Sequence, residues 1–244
     1  AGALEGVDLV AGLHLTPHLP TGRYEVRGGP LFAALDRLEI DVLGRAGHAA
    51  RPHEGIDAVV AAAHVVLALQ CVVSRERNPL EPVVLTLGTI AGGSGPTALA
   101  DRVELRGTLR TFHAAAAARA HDAIRRLASG AAAAHGAEAR VRIEPGTPTL
   151  VNDREVAARA LAIAAELLGP GAVGESGPLC VSEDFAEYLL LVPGCFGLLG
   201  VGNPALGAVH PVHSPRFTMD ESALTTGTRL LAAFAARLGA APDG

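Results

Sequence analysis

Hydrophobic and polar residues alternate along several segments between about residues 35 and 146. Three segments, at 37–42, 102–110 and 138–144, have the period of two expected for a strand with one wet face, and residues 83–90 also read as a strand. Apolar residues recur at helical spacing over 57–75, and an alanine-rich run covers 114–135. The order β-α-β-β-α-β is that of a ferredoxin-like α+β unit. We predict a four-stranded antiparallel sheet with two helices on one face, leaving a strand edge and a helix face free for a partner.

The flanking segments predict two pieces of one interrupted α/β domain. Residues 7–15 read as a buried strand that ends at His14, and the Pro- and Gly-rich residues 16–30 read as a linker. Beyond Pro148 the pattern predicts further elements: helices at 153–168 (capped by Asn152 or Asp153), 183–192 (capped by Ser182) and 220–238, and a short strand at 195–201. We therefore assign 1–30 and 147–244 to the α/β domain and 31–146 to the inserted unit.

Composition narrows the function classes. The chain of 244 residues is 49% apolar, which indicates a globular protein, and 18% charged, which is below the roughly 25% typical of soluble domains. Its net charge of −5 gives no electrostatic footprint for nucleic acid or for an acidic membrane surface, so we expect neither as a partner. All 20 basic residues are arginine, which excludes a lysine nucleophile within this chain.

Three widely spaced cysteines, Cys71, Cys180 and Cys195, have apolar neighbours and are odd in number. This pattern indicates buried reduced thiols and a cytoplasmic protein rather than a disulfide framework. The longest apolar run, 189–201, is interrupted by proline and glycine, so we do not expect it to span a membrane.

The loop at 44–53 holds two histidines, His48 and His53, among small residues that would let another molecule approach. A binding loop and a loop with solvated histidines are both compatible with this pattern. The same ambiguity applies to His14 at a predicted strand end, which is either a metal ligand or an isolated histidine.

Three further positions have both a chemical and a structural explanation. His210 and His213 lie in a Pro-rich loop that suits metal ligation or a solvent-exposed turn. The adjacent carboxylates Glu183 and Asp184 would cap a helix or lie near a metal. Arg110, at a predicted strand end, would bind a carboxylate or remain an exposed charge.

Taken in order, these segments resemble the M20 family of metallopeptidases, in its aminoacylase, hippurate hydrolase and carboxypeptidase branch. The resemblance extends over essentially the whole chain and rests on the segments LEGVD (4–8), GLH (12–14), GRAGHAARPH (44–53), LQCVVSR (69–75), GTLR (107–110), SEDF (182–185) and HSPRF (213–217). It implies a zinc-peptidase-like α/β catalytic domain, present here in part, with an inserted ferredoxin-like lid through which the protein would form a homodimer.

The resemblance also implies a reaction. Two divalent metal ions (zinc, manganese, nickel or cobalt) would activate a water that attacks the amide of an N-acyl amino acid or a related small amide or peptide. By motif, His14 and His213 resemble ligands of the two metals. His48 resembles the lid histidine that reaches a partner subunit's active site and stabilises the oxyanion. Arg110 resembles the residue that binds the substrate carboxylate, and Glu183 falls in a motif near the metals, with a less defined role.

Two departures from the family pattern bear on activity. The family's remaining metal ligands and its Glu-Glu pair precede the equivalent of His14, and this chain has no Glu-Glu dipeptide. We expect that roughly 100–150 residues of the catalytic domain are absent, about the size of a domain. Thr97 stands where the family has an asparagine that helps to bind substrate.

These departures leave a second hypothesis open, a non-catalytic relative that dimerises or binds a small molecule. For the chain as given we expect no activity, and apolar surface left uncovered on residues 7–13 and 195–201.

Overall fold

The computed structural model describes residues 2–239, in which twelve strands and five helices occur. The strands are β1 (Val10–Pro20), β2 (Tyr24–Glu25), β3 (Gly29–Phe32), β4 (Ala34–Leu43), β5 (Gly47–His48), β6 (Val83–Gly92), β7 (Ala98–Leu99), β8 (Arg102–Thr111), β9 (Glu138–Pro145), β10 (Leu150–Asn152), β11 (Val173–Gly174) and β12 (Gly194–Gly202). The helices are α1 (Ala58–Cys71), α2 (Ala114–Ala133), α3 (Arg154–Leu168), α4 (Ala186–Leu189) and α5 (Ser222–Arg237).

The chain divides into two compact units. The first unit contains the described residues up to Phe32, Leu150–Leu179 and those from Glu183 onward. The second unit contains Ala33–Thr149 and the short segment Cys180–Ser182. The domain boundaries expected from sequence were 30/31 and 146/147.

The second unit is built on a four-stranded sheet in the order β6-β8-β4-β9, with every neighbouring pair antiparallel. One face of this sheet presents Leu38, Ile40, Leu105 and other apolar residues to α1 and α2. The six predicted elements and the antiparallel sheet with both helices on one face are confirmed. Successive side chains of a strand point to opposite faces of the sheet, so alternating apolar and polar residues give one apolar face and one polar face.

The opposite face of this sheet is charged and solvated. Carboxylates and guanidinium groups pair across neighbouring strands, as Arg102 does with Asp41 at 2.7 Å and Arg142 with Glu39. Exposed pairs of this kind contribute little stability each. Because these charged side chains need solvent, the helices cover the apolar face of the sheet and not this one.

The first unit contains a mixed sheet in the order β1-β12-β2-β11. β1 runs parallel to β12, and β12 runs antiparallel to β2. Helices α3 and α5 pack on this sheet through a core that includes Tyr24, Leu199, Leu230 and Phe234. Residues 194–201 of β12 are all buried, so the expectation of uncovered apolar surface on 195–201 is wrong, whereas residues 7–13 are only partly covered.

Two predicted features of the first unit are also wrong. Residues 16–30 are not a linker, because β1 continues to Pro20 and is followed by β2 and β3. His14 therefore lies inside a strand rather than at its end. β1 is an edge strand of the described sheet, and an edge tolerates proline because one side of its backbone does not need to donate to a neighbour.

The predicted helix at 183–192 is reduced to the four residues of α4. Neither Ser182 nor any other side chain caps its first turn, which starts after Phe185. Pro193 prevents the helix from continuing, because its ring would collide with the preceding turn. The cysteine expectation is correct only for Cys195, which is buried and whose pKa is raised by that burial to about 12. Cys71 is partly buried and Cys180 is exposed.

One helical segment, Ala58–Glu76, is long and apolar enough to cross a membrane by length and composition alone. Its buried positions include Ala58, Ala62, Val65 and Leu69, which lie in the core of the second unit. Packing within the unit therefore accounts for its apolar character.

Asn152 connects three parts of the first unit through a buried amide that is 1% exposed. Its Nδ2 donates to the carbonyls of Arg27 and Phe196, both at 2.9 Å, and its Oδ1 accepts from the Phe196 amide at 2.8 Å. The neighbouring Asp153 caps α3 by accepting from the amides of Glu155 and Val156. Of the two caps that the sequence allows for α3, the structure thus shows Asp153, and Asn152 instead holds the backbone of neighbouring segments.

We predict that Asn152→Ala lowers the free energy of unfolding by about 3 kcal/mol, because it leaves buried backbone groups without partners. Urea unfolding followed by circular dichroism measures this change. The control is Asn78→Ala, which removes an exposed amide that accepts a hydrogen bond from the Leu80 amide at 3.1 Å and should lower stability by about 1 kcal/mol or less. Equal effects of the two substitutions would show that the buried hydrogen bonds of Asn152 do not hold the unit together.

Candidate metal and substrate site

His14 lies on β1, opposite Leu198 of β12, with an exposed side chain. Its Nδ1 is 2.7 Å from the carbonyl oxygen of Leu15. A carbonyl can only accept, so Nδ1 carries the proton and the lone pair of Nε2 is left free. This is the arrangement that metal-ligating histidines use, in which a backbone carbonyl orients the ring.

Glu183 lies two residues before Phe185, whose ring packs against β12. The ring of Phe185 packs on that of Phe196 with centroids 4.9 Å apart. Gly12 permits this, because a Cβ there would lie 2.6 Å from the Phe196 ring and 3.0 Å from the Phe185 ring. In the sequence, Gly12 is part of the GLH motif (12–14) and its need for space beside an aromatic ring is not apparent. A glycine inside an apolar strand is the signal that could have indicated a close approach.

The carboxyl of Glu183 has mixed surroundings. Its pKa is raised chiefly by desolvation and then by the neighbouring Asp184 carboxyl. The Phe185 amide, which donates to Oε1 at 3.3 Å, and the nearby His14 act in the opposite direction. The Glu183 carboxyl and the His14 imidazole are thus close enough within the first unit to interact electrostatically.

His213 belongs to the loop between β12 and α5. Its φ of 67° makes it the single non-glycine residue with positive φ among the described residues. The ends of the loop are joined by Asn203, whose Nδ2 donates to Asp220 at 2.7 Å. A left-handed backbone at a non-glycine residue costs free energy and is concentrated at functional sites. The structure therefore marks His213 more strongly than the adjacent prolines did.

These donors fit part of a metal site. His14 offers an oriented imidazole nitrogen, and Glu183 lies close to it. Within residues 2–239, however, no three His, Cys, Asp or Glu side chains are grouped so that they could hold an ion. The described residues thus suit individual ligand positions and do not make up a complete two-metal ligand set.

In the second unit, His48 and Thr97 are brought together. His48 pairs with Ala98 between β5 and β7, and the Ala49 amide donates to the Thr97 carbonyl at 3.0 Å. The Nδ1 of His48 accepts from the Ala50 amide at 3.1 Å. In the neutral ring the proton is therefore on Nε2, which makes that nitrogen a donor toward a ligand. His53, by contrast, is exposed next to Glu54.

Arg110 lies on β8, between Leu35 of β4 and Val84 of β6. Its Nη1 is buried and has no hydrogen-bond partner in the described part of the chain. A buried guanidinium nitrogen without a partner is costly, and a bound carboxylate would remove that cost.

The chain is similar to known proteins over nearly its whole length. The profile of peptidase family M20/M25/M40 matches residues 1–237. A probable hydrolase of Synechocystis is 40% identical over 93% of this chain and 58% of its own length. An N-acetyl-L-cysteine deacetylase of Bacillus subtilis is 36% identical over 97% of this chain and 55% of its own length.

Two solved structures show the same mixed α/β fold. A putative aminohydrolase of methicillin-resistant Staphylococcus aureus superposes with a TM-score of 0.86 at 31% identity, over 96% of this chain and 60% of the other. The YxeP protein of Bacillus subtilis, described as a dinuclear metal binding peptidase from the M20 family, gives 0.80 at 31% identity, over 96% and 58%.

The chain spans somewhat more than half the length of these relatives. The match nevertheless includes nearly all of its residues, and the relatives are hydrolases by name. The chain belongs to peptidase family M20/M25/M40, a family of hydrolases.

Proposed function

We propose that this chain is part of a metal-dependent hydrolase that cleaves amide bonds in N-acyl amino acids or related small amides and peptides. The observation that carries the proposal is the ring of His14, whose free Nε2 and carbonyl-bonded Nδ1 suit a metal ligand. The names of the relatives agree, since they include an N-acetyl-L-cysteine deacetylase of Bacillus subtilis and an IAA-amino acid hydrolase of Arabidopsis thaliana.

The metals would be two divalent ions, chosen among zinc, manganese, nickel and cobalt. His14 would hold one of them and His213 the other, with Glu183 close to His14. When bound, such ions activate water and polarise a carbonyl. The complete ligand set would belong to a polypeptide of the relatives' length, so we propose that the 244-residue chain alone is inactive.

Residues of the second unit would recognise the substrate. The unpartnered Nη1 of Arg110 would bind the substrate carboxylate. His48, whose Nε2 carries a proton, would donate a hydrogen bond to the oxyanion in the active site of a partner subunit. Thr97 would offer a hydroxyl where the family has an amide, which would alter substrate binding.

We also propose that the second unit is the inserted ferredoxin-like lid and that a homodimer forms through it. We propose a cytoplasmic location for the protein. β6 is an edge strand of its sheet, and exposed apolar side chains lie along β6 and α1. Leu67 is 67% and Ile90 is 59% exposed, and both line one open groove. An apolar groove beside an unpaired strand edge suits pairing with the same strand of a second copy.

Metal binding tests the proposed ligands. We predict that a polypeptide of the relatives' full length that contains this chain holds about two divalent ions per subunit. His14→Ala should lower that content, whereas replacing His18, which is also an exposed histidine of β1, by alanine should not. The measurement is elemental analysis after dialysis, with the 244-residue chain in parallel.

Two results would count against this proposal. Hydrolysis of N-acyl amino acids by the 244-residue chain would contradict its predicted inactivity. A full-length polypeptide without bound metal or activity would favour the non-catalytic relative that dimerises or binds a small molecule.

Arg110→Gln is predicted to weaken substrate use through binding. In the full-length enzyme we expect kcat/KM for N-acyl amino acids to fall about 10- to 100-fold, the cost of one hydrogen-bonded charge, mostly through KM. Steady-state kinetics with each substrate and its carboxamide analogue measures this. Arg37→Gln, an exposed arginine of β4, is the control. A loss of the same size for the carboxamide would show that Arg110 does not bind the carboxylate.

Leu67→Lys should disrupt the proposed homodimer, because a charge in an apolar interface is not compensated. Light scattering after size-exclusion chromatography should show a shift from dimer to monomer. Leu80→Lys changes a residue that is 89% exposed outside this groove and should leave the dimer intact. A monomeric parent protein, or a dimer unaffected by Leu67→Lys, would disprove this interface.

A further inference from the structure

Two histidines of the second unit that take no part in the proposed catalysis lie next to each other with their rings tilted. His64 on α1 and His135 just after α2 have ring centroids 4.1 Å apart and ring planes at 39°. They are 71 positions apart in sequence, and the packing of α1 against α2 brings them together. His64 is exposed and His135 is partly exposed, so both are accessible from solvent.

His64 has the orientation of a metal ligand. Its Nδ1 is 3.0 Å from the carbonyl oxygen of Val60, one turn earlier in the helix. That carbonyl can only accept, so Nδ1 holds the proton and Nε2 keeps its lone pair. The backbone bond also fixes the ring, which lowers the entropic cost of binding an ion.

His135 is held by the way that α2 ends. The Ala137 amide donates to the carbonyl of Ala132, and the Gly136 amide donates to that of Ala133. With Gly136 at φ 71°, this is a Schellman motif whose final residue before the glycine is His135. The ring nitrogens of His135 make no hydrogen bond within the described residues, so either is available to a ligand.

The end of α2 adds a favourable charge environment. The carbonyl groups at a helix C-terminus carry partial negative charge, which favours a cation in the last turn. A divalent ion bound by both rings would sit near this end. Imidazole nitrogens suit copper, nickel and zinc, with Cu²⁺ bound most tightly in that group.

We propose that His64 and His135 form a surface site for one divalent transition-metal ion of this group, separate from the proposed catalytic metals. The site would link α1 to the end of α2 and would stabilise the second unit when occupied. It does not depend on the proposed hydrolase function, because none of its residues belongs to that machinery.

The test uses the untagged 244-residue chain with His14→Ala and His213→Ala, so that the proposed catalytic ligands do not contribute. Titration calorimetry with Ni²⁺ should give about one ion per chain. Either His64→Gln or His135→Asn should abolish binding at concentrations that saturate the parent. His113→Asn, an exposed histidine at the other end of α2, should bind as the parent does.

A spectroscopic readout identifies the ligands. Electron paramagnetic resonance of the Cu²⁺ form should show two coordinating imidazole nitrogens in the parent, and neither single variant should give this signal. Thermal unfolding without metal checks that the variants fold. If His64→Gln proves unstable, His135→Asn still tests the site, because His135 lies after the end of α2. Parent-like binding in either single variant, or equal loss in His113→Asn, would overturn the proposal.

Discussion

The close approach of β1 to the aromatic rings of Phe185 and Phe196 is the constraint on which the candidate site of the first unit depends. Gly12 leaves the space for both rings, and any side chain there would collide with them. The rings anchor the residues that immediately follow Glu183, and this brings its carboxyl near His14 two positions beyond Gly12. A packing requirement between backbone and aromatic rings therefore sets the position of polar groups.

Backbone hydrogen bonds give His14 and His48 opposite tautomers. The Leu15 carbonyl accepts from Nδ1 of His14, so Nε2 of that ring keeps its lone pair. The Ala50 amide donates to Nδ1 of His48, so Nε2 of that ring carries the proton. A metal ligand needs the first arrangement and an oxyanion donor the second. Local backbone geometry thus distinguishes two residues that the sequence presents as the same chemical group.

The second unit could be predicted from sequence more completely than the first. Its strands β4, β8 and β9 each have one wet face, so apolar and polar residues alternate along them, and the capping residue Asp57 marks the start of α1. β12 of the first unit is buried along both faces and carries no alternation. The prolines of β1 suggested a linker because the sequence does not show that this strand lies at a sheet edge.

For the site residues, too, sequence motifs indicate which residues are involved, whereas their arrangement depends on contacts between distant parts of the chain. The candidate histidines at 14, 48 and 213 could be named because each lies in a short motif, but their tautomers and the strained φ of His213 depend on backbone contacts. The pairing of His64 with His135 has no local signal, since it results from helix packing over a long sequence separation. Chemistry that arises from tertiary contacts therefore has to be identified from the packed structure, where a hydrogen bond on one ring nitrogen determines what the other can do.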